Sequence, residues 1–171
     1  VPPMIQRQVT RDPGANSIWI ANTVTETERQ RNLHVDVPDV RRWNQQRLLL
    51  QVFDNLVANR DSNLSNLLID PNWRLWFIDC SRCFGNTKNL YYPLENISQC
   101  ERRMWEGLNN LTKAAVKQRL ASLLSKAEID ALMARRNKMV RHFQELIDER
   151  SEAAVIYDIN PPSATAPWGE D

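Results

Sequence analysis

Between Val40 and Asp79 the hydrophobic period changes twice, and this constrains the fold more than any other feature of the chain. Roughly Val40 to Val57 carries Trp43, Leu49, Leu50, Phe53, Leu56 and Val57 at helical spacing, which predicts one long, central, buried helix. A polar loop follows, Asn59-Arg60-Asp61-Ser62-Asn63-Leu64-Ser65-Asn66. Leu67-Leu68-Ile69 then reads as a short strand, Asp70-Pro71-Asn72 as a turn, and Trp73 to Ile78 as the returning strand. This small hairpin runs from Asn66 to Asp79, an arrangement that lets two residues distant in sequence meet at one metal.

The loop has a chemical pattern as well as a structural one. Asp61 stands five residues before Asn66, and Asp79 stands thirteen beyond it. That is the spacing of a phosphotransfer catalytic loop and its metal-binding strand. A carboxylate at 61 suits the deprotonation or orientation of a substrate hydroxyl. Hard oxygen donors at 66 and 79 suit Mg²⁺, which dehydrates reluctantly and takes few protein ligands. Taken alone the spacing is weak, because Asp61 and Asn63 also suit turns and Asp79 also suits backbone N–H groups. The leading helix, the following hairpin and an Asp closing its apolar strand strengthen it.

Around this centre, Met4 to Val9 alternates as a strand, Asp12-Pro13-Gly14 signals a turn, and Ser17 to Ala21 reads as a second strand of a short β-ribbon. Thr25 to Asn32 reads as a short exposed helix. Ser98-Gln99-Cys100-Glu101 and Ser125-Lys126-Ala127-Glu128 both fit a capping box, and Thr112 opens a helix through Leu124. The last helix, about Lys126 to Asp148, carries Ile129, Leu132, Met133, Val140, Phe143 and Ile147 on one face, a stripe expected in the core. Beyond Ala154 the Pro-containing tail to Trp168 looks extended.

Several classes are disfavoured. With a net charge of +1 nothing global favours nucleic acid. The pairs Arg41-Arg42, Arg102-Arg103 and Arg135-Arg136 alternate with acids and read as solvated helix faces. No run approaches the ~18 apolar residues of a spanning helix. Cys80, Cys83 and Cys100 form no disulfide framework; Cys80-Ser81-Arg82-Cys83 has no second pair to complete a zinc site, so structural thiols are expected, with a disulfide or redox role as the alternative. The opening Val1-Pro2-Pro3 leads us to expect a fragment or processed form, with any targeting signal upstream and localisation open.

Asn59-x-Asp61-x-x-x-x-Asn66 followed by Phe77-Ile78-Asp79-x-x-x-x-Phe84 resembles the C-lobe of atypical protein-kinase-like enzymes. The nearest patterns are the type II phosphatidylinositol 4-kinases, the HipA-like bacterial kinases and the Golgi secretory-pathway kinases. Asp79 to Gly85 and Cys100-Glu101-Arg102-Arg103 look most like the secretory type, while the whole chain resembles bacterial proteins with a phosphoinositide-kinase-like C-lobe. The specific match covers about Asp54 to Gly85.

The resemblance implies an α+β, mostly helical fold: a protein-kinase-like C-lobe with the β-hairpin carrying the metal-site residues and a short N-terminal β-ribbon. Residues 1–24 would be residual N-lobe and hinge strands, 25–154 the helical C-lobe and 155–171 the tail. It implies Asp61 as catalytic Asp, Asn66 and Asp79 as ligands of Mg²⁺ (or Mn²⁺), and ATP as cofactor. Leu68 and Ile78 would lie beneath the adenine, with Ile20 and Ala21 at the hinge along its edge. Asn63 is expected to stabilise a turn.

Two departures stand out. All the lysines, from Lys88 onward, follow the loop, and the glycines form no phosphate-covering loop, so the ATP-binding Lys and Gly-rich roof are absent from this chain and an upstream N-lobe is expected. The expected function is an ATP-dependent phosphotransferase acting on an unspecified protein, lipid or small-molecule acceptor. The alternative is a catalytically inactive kinase-like binding or regulatory module.

Overall fold

The structure, a computed structural model, describes the backbone of residues 1–2, 4–9 and 12–169 and the side chains of 1–2 and 17–168. It is α+β, about 52% helical with a small antiparallel sheet. Two compact units share the chain: Val1–Val40, Asn63–Asp79 and Pro161–Asp171 form the first, and Arg41–Ser62 and Cys80–Asn160 the second.

In the first unit, strands β1 (Met4–Val9) and β2 (Asp12–Ser17) pair antiparallel, from Val9 opposite Asp12 to Met4 opposite Ser17. The ribbon is as expected, but its second strand is not Ser17 to Ala21. Pairing ends at Ser17 because its partner strand begins at Met4, and Ile18 and Trp19 beyond it are 58% and 88% exposed. Pro13 lies within β2 rather than in a turn, which a two-stranded ribbon tolerates because both strands are edges.

A second sheet orders β3 (Val24–Thr25), β4 (Leu67–Ile69) and β5 (Leu75–Phe77), all antiparallel. After β3, the helix α1 (Glu26–Glu28) starts under a Thr25 cap and passes into a π turn over Arg29–Leu33. This segment is not simply exposed. Glu26 is fully buried and takes Arg29 Nε at 2.6 Å, Arg29 Nη2 at 2.9 Å and Gln30 Nε2 at 2.6 Å. Burying that charge is tolerable because its lone pairs are filled by donors from the next turn. The tail also joins this unit: Ala166 N–H donates to the Pro71 carbonyl at 2.7 Å, and Trp168 stacks at 5.1 Å from Trp73.

The second unit is built on α2 (Val40–Val57) and α5 (Lys126–Arg150), with α3 (Arg102–Asn110), α4 (Lys113–Leu120) and α6 (Glu152–Val155). Its main core joins Val52 of α2 to Met139 and Phe143 of α5, with Ile97, Leu108 and Val155. A smaller cluster is Val116, Ile129 and Leu132. Cys100 is part of the main core, and burial pushes its thiol up to about 12.

The bounds of α2 are those expected from its periodicity, and Trp43 and Val57 are buried as expected, but the rest of its buried face differs. Leu49, Leu50, Phe53 and Leu56 are only half-buried, whereas Arg42, Gln45, Gln46, Asp54 and Asn55 are buried. Arg42 donates to the Asn160 carbonyl at 2.9 Å. Ser125 and Glu128 make the expected capping box at the start of α5, and Thr112 caps α4. Ser98 caps nothing of the kind. Strand β6 (Cys100–Glu101) pairs parallel with β7 (Ile156–Tyr157), so the backbone there is extended and α3 starts one residue later under Glu101.

Arg135 overturns the solvated reading of its pair. It is fully buried, donates Nε to the Leu56 carbonyl at 3.0 Å and Nη1 to the carbonyls of Gly85 (3.1 Å) and Thr87. Arg135→Leu is expected to lower the unfolding free energy by about 3 kcal/mol or more in urea titration, since three carbonyls lose a charged donor. Arg135→Lys should recover part of it. A loss under about 1 kcal/mol for the leucine variant would contradict this account.

Candidate functional site

The loop's first half is set by how α2 ends. Ala58 takes a left-handed conformation (φ 56) and the Asn59 N–H turns back to the Asp54 carbonyl at 2.9 Å, a helix stop of Schellman type made without glycine. The Asn59 side chain then works in both directions. Its Nδ2 donates to Asp54 Oδ1 at 3.0 Å, and its Oδ1 accepts from the Asp61 N–H at 3.1 Å. Asp61 is thereby held by its backbone through an Asx turn. Its carboxylate lies 3.6 Å from Arg82 Nε, and the two side chains are 34% and 74% exposed. A pair so open to water contributes little to stability and leaves the carboxylate approachable.

Behind Asp61 is a buried polar layer. Burial pushes the Asp54 carboxyl above its ordinary range, while hydrogen bonding from Asn59 and Ser62 opposes the shift. Asn55 is fully buried; its Oδ1 accepts from the N–H groups of Tyr91 (2.9 Å) and Tyr92 (2.8 Å), and its Nδ2 donates to the Tyr92 carbonyl at 3.0 Å. With its oxygen and its amide both in use, the Asn55 side chain ties α2 to the Tyr91–Tyr92 backbone in one geometry and disfavours others.

The loop's second half belongs to the first unit. Asn63 Oδ1 accepts from Ser65 N–H (2.9 Å) and Asn66 N–H (3.2 Å), capping a 3₁₀ turn over Leu64–Asn66, so its turn role is as expected. In the hairpin, Leu67 opposes Phe77 and Leu68 opposes Trp76. Burial alternates along β4, with Leu67 and Ile69 inside and Leu68 half-buried on the other face. The turn is tied by Asp70, whose Oδ1 accepts from Asn72 and Arg74 N–H and whose Oδ2 accepts from Trp76 Nε1 at 2.8 Å.

One further rung matters most. The Ile78 N–H donates to the Asn66 carbonyl at 3.0 Å, so the ladder extends past β4 and β5 and Asn66 and Asp79 fall at the same end of the hairpin. Asp79 itself has φ 58, a conformation a non-glycine residue adopts at some cost, often at functional positions. Of the remaining candidates, Leu68 and Ile78 are half-buried on this hairpin. Ile20 is half-buried with its carbonyl accepting from the Thr23 hydroxyl at 3.2 Å, and Ala21 is exposed. Asp61 lies in the second unit.

After Asp79, the Cys83 N–H bonds the Cys80 carbonyl at 3.1 Å, and neither cysteine is in a disulfide. Among the described residues no three His, Cys, Asp or Glu side chains cluster as a metal site. A magnesium site that takes one carboxylate, one amide oxygen and otherwise phosphate and water does not require such a cluster, and the donors Asn66 and Asp79 fit that ion. Among the described residues no helix is long and apolar enough to cross a membrane. No protein-family model and no curated protein matches this chain.

The sequence assigns no role to Asp54, Asn55 or Arg82, and it misplaces Arg135 on a solvated face. Only Asp54 carried a signal there, as an acid embedded between Phe53 and Leu56 of an apolar helix. Its raised pKa has a consequence for stability. From the ordinary value of 3.8 upward, the unfolded chain releases this proton before the folded one does, so stability falls as pH rises through the window. Asp54→Asn keeps an oxygen acceptor for Asn59 and has no such proton. The wild-type unfolding free energy minus that of Asp54→Asn is therefore expected to fall between pH 3 and 7; a flat or rising difference would contradict the shift.

Proposed function

We propose that this chain is the C-lobe of a kinase-like, ATP-dependent phosphotransferase of the atypical, phosphatidylinositol-kinase-like type. The observation that carries the reading is the backbone bond from Ile78 to Asn66, because it brings an amide and a carboxylate of the right spacing to one end of a rigid hairpin. Asn59 adds support, since its hold on the Asp61 N–H fixes the backbone from which the Asp61 carboxylate projects.

In this reading Asp61 accepts a hydrogen bond from the acceptor hydroxyl, orients it and takes its proton as the new bond to phosphorus forms. Asn66 and Asp79 would hold Mg²⁺ through their oxygens. The Mg·ATP complex supplies the phosphoryl group and the charge that offsets its negative oxygens. Leu68 and Ile78 offer apolar surface to the base, with Ile20 and Ala21 at its edge. The acceptor belongs to a class with a hydroxyl: a protein side chain, an inositol lipid or a small molecule.

The lack of any lysine before Lys88 favours a second reading, an inactive kinase-like module that binds a partner. One experiment separates them: Mg·ATP binding and ADP release in the protein expressed from its full reading frame. Asp61→Asn is expected to keep binding and lose about 10²-fold or more of turnover, the scale of general-base removal. Asp79→Asn is expected to lose magnesium-dependent binding and turnover together. Undiminished turnover in both variants would overturn the proposal, and a wild type that neither binds Mg·ATP nor releases ADP would leave the second reading.

A further inference from the structure

The C-x-x-C segment after Asp79 leaves structural thiols and a redox role both open, and its backbone supports the second. Cys80-Ser81-Arg82-Cys83 is closed by the Cys83 N–H to the Cys80 carbonyl at 3.1 Å, which makes it a hydrogen-bonded reverse turn. Such a turn brings its first and last Cα atoms within about 7 Å. A disulfide spans Cα separations of about 4.4–6.8 Å. The turn thus already has the backbone reach of a disulfide. We propose that Cys80 and Cys83 are a redox-active dithiol that closes reversibly to a disulfide by exchange with a low-molecular-weight disulfide.

Three observations bear on this. Both thiols are half-buried, within reach of a small reagent, whereas Cys100 is buried in the core with its thiol pushed up to about 12. Only the first two are therefore accessible to a small reagent in the folded chain. The turn is also anchored from outside: the Phe84 N–H bonds the Val57 carbonyl at 2.5 Å, and Arg82 pairs with Asp61 at 3.6 Å. The backbone of the turn thus has supports that do not depend on a sulfur–sulfur bond, so making or breaking that bond does not require unfolding.

The exchange balances without any other reactant. One cysteine thiolate attacks a sulfur of the small disulfide, forming a mixed disulfide and expelling one small thiolate. The second cysteine thiolate then attacks the protein sulfur of that mixed disulfide and expels the other. The two cysteines lose two electrons, the small disulfide gains them, and the two thiol protons end on the two small thiols. Stated this way, the inference stands apart from the phosphotransfer reading. Asp79 immediately precedes the turn and Arg82 within it pairs with Asp61, so its oxidation state adjoins the candidate site.

The test is to incubate the purified full chain with oxidised glutathione, quench by alkylation in acid followed by denaturant, and measure intact mass and tryptic peptides. Cleavage after Arg82 separates the two cysteines, so a bridge is read directly as a linked peptide pair. The expected result is a loss of two hydrogens, the linked Cys80–Cys83 pair, alkylated Cys100, and full reversal by dithiothreitol. Cys80→Ser and Cys83→Ser should each stop at a glutathione adduct on the remaining cysteine. A wild-type chain that ends as a stable glutathione adduct, or that keeps both thiols alkylatable, would overturn the proposal.

Discussion

A helix that ends inside a protein leaves four carbonyls without partners, and the end of α2 meets that constraint with one local partner and two from far along the chain. The Asp54 carbonyl takes the Asn59 N–H, the Leu56 carbonyl takes Arg135, and the Val57 carbonyl takes the Phe84 N–H. Each bond therefore does two jobs. It satisfies α2, and it fixes a segment that carries candidate chemistry: the Asn59–Asp61 turn, the stretch after Cys83, and the Gly85–Thr87 backbone that the same Arg135 also holds. An arginine is suited to this, because its planar fork can serve several carbonyls at once and it stays charged when buried.

The hairpin obeys a similar economy on a smaller scale. Two strands of three residues are short for independent stability. Asp70 ties the turn with three acceptor contacts, β3 covers the other edge of β4, and Trp168 packs on Trp73. What this secures is the open end, where the ladder's last rung sets Asn66 beside Ile78 and delivers Asp79 in a strained conformation. Rigid backbone of this kind is the support that a metal-binding pair of oxygens requires.

The sequence analysis was informative where a residue's role is decided by near neighbours. The bounds of α2, the strand Leu67–Ile69, the Ser125–Glu128 box and the Asn63 turn all follow from patterns within a few residues. It was misleading where the deciding partner is remote. Arg135 reads as one of a solvated pair because Leu56, Gly85 and Thr87 lie far away in sequence, and Ser98 reads as a cap because nothing nearby reveals that Cys100–Glu101 pairs with Ile156–Tyr157. Glu26 and Arg29 look like a polar helix face, yet they neutralise each other and are buried together. Ala58 is the subtlest case, since a left-handed helix stop is normally announced by glycine. Of the candidate site, the spacing of Asp61, Asn66 and Asp79 was visible, but the polar layer of Asp54 and Asn55 beneath the loop was not.

The central claim is that the open end of the hairpin holds a divalent ion together with nucleotide phosphates. Electron paramagnetic resonance of Mn²⁺, with a non-hydrolysable ATP analogue present, measures this most directly because the free ion's signal disappears on binding. The expected result is that protein expressed from its full reading frame, added with the nucleotide, depletes the free signal well beyond what the nucleotide alone removes, and that Asn66→Ala and Asp79→Asn each return it to the nucleotide-only level. Equal depletion by the wild type and both variants would contradict the account.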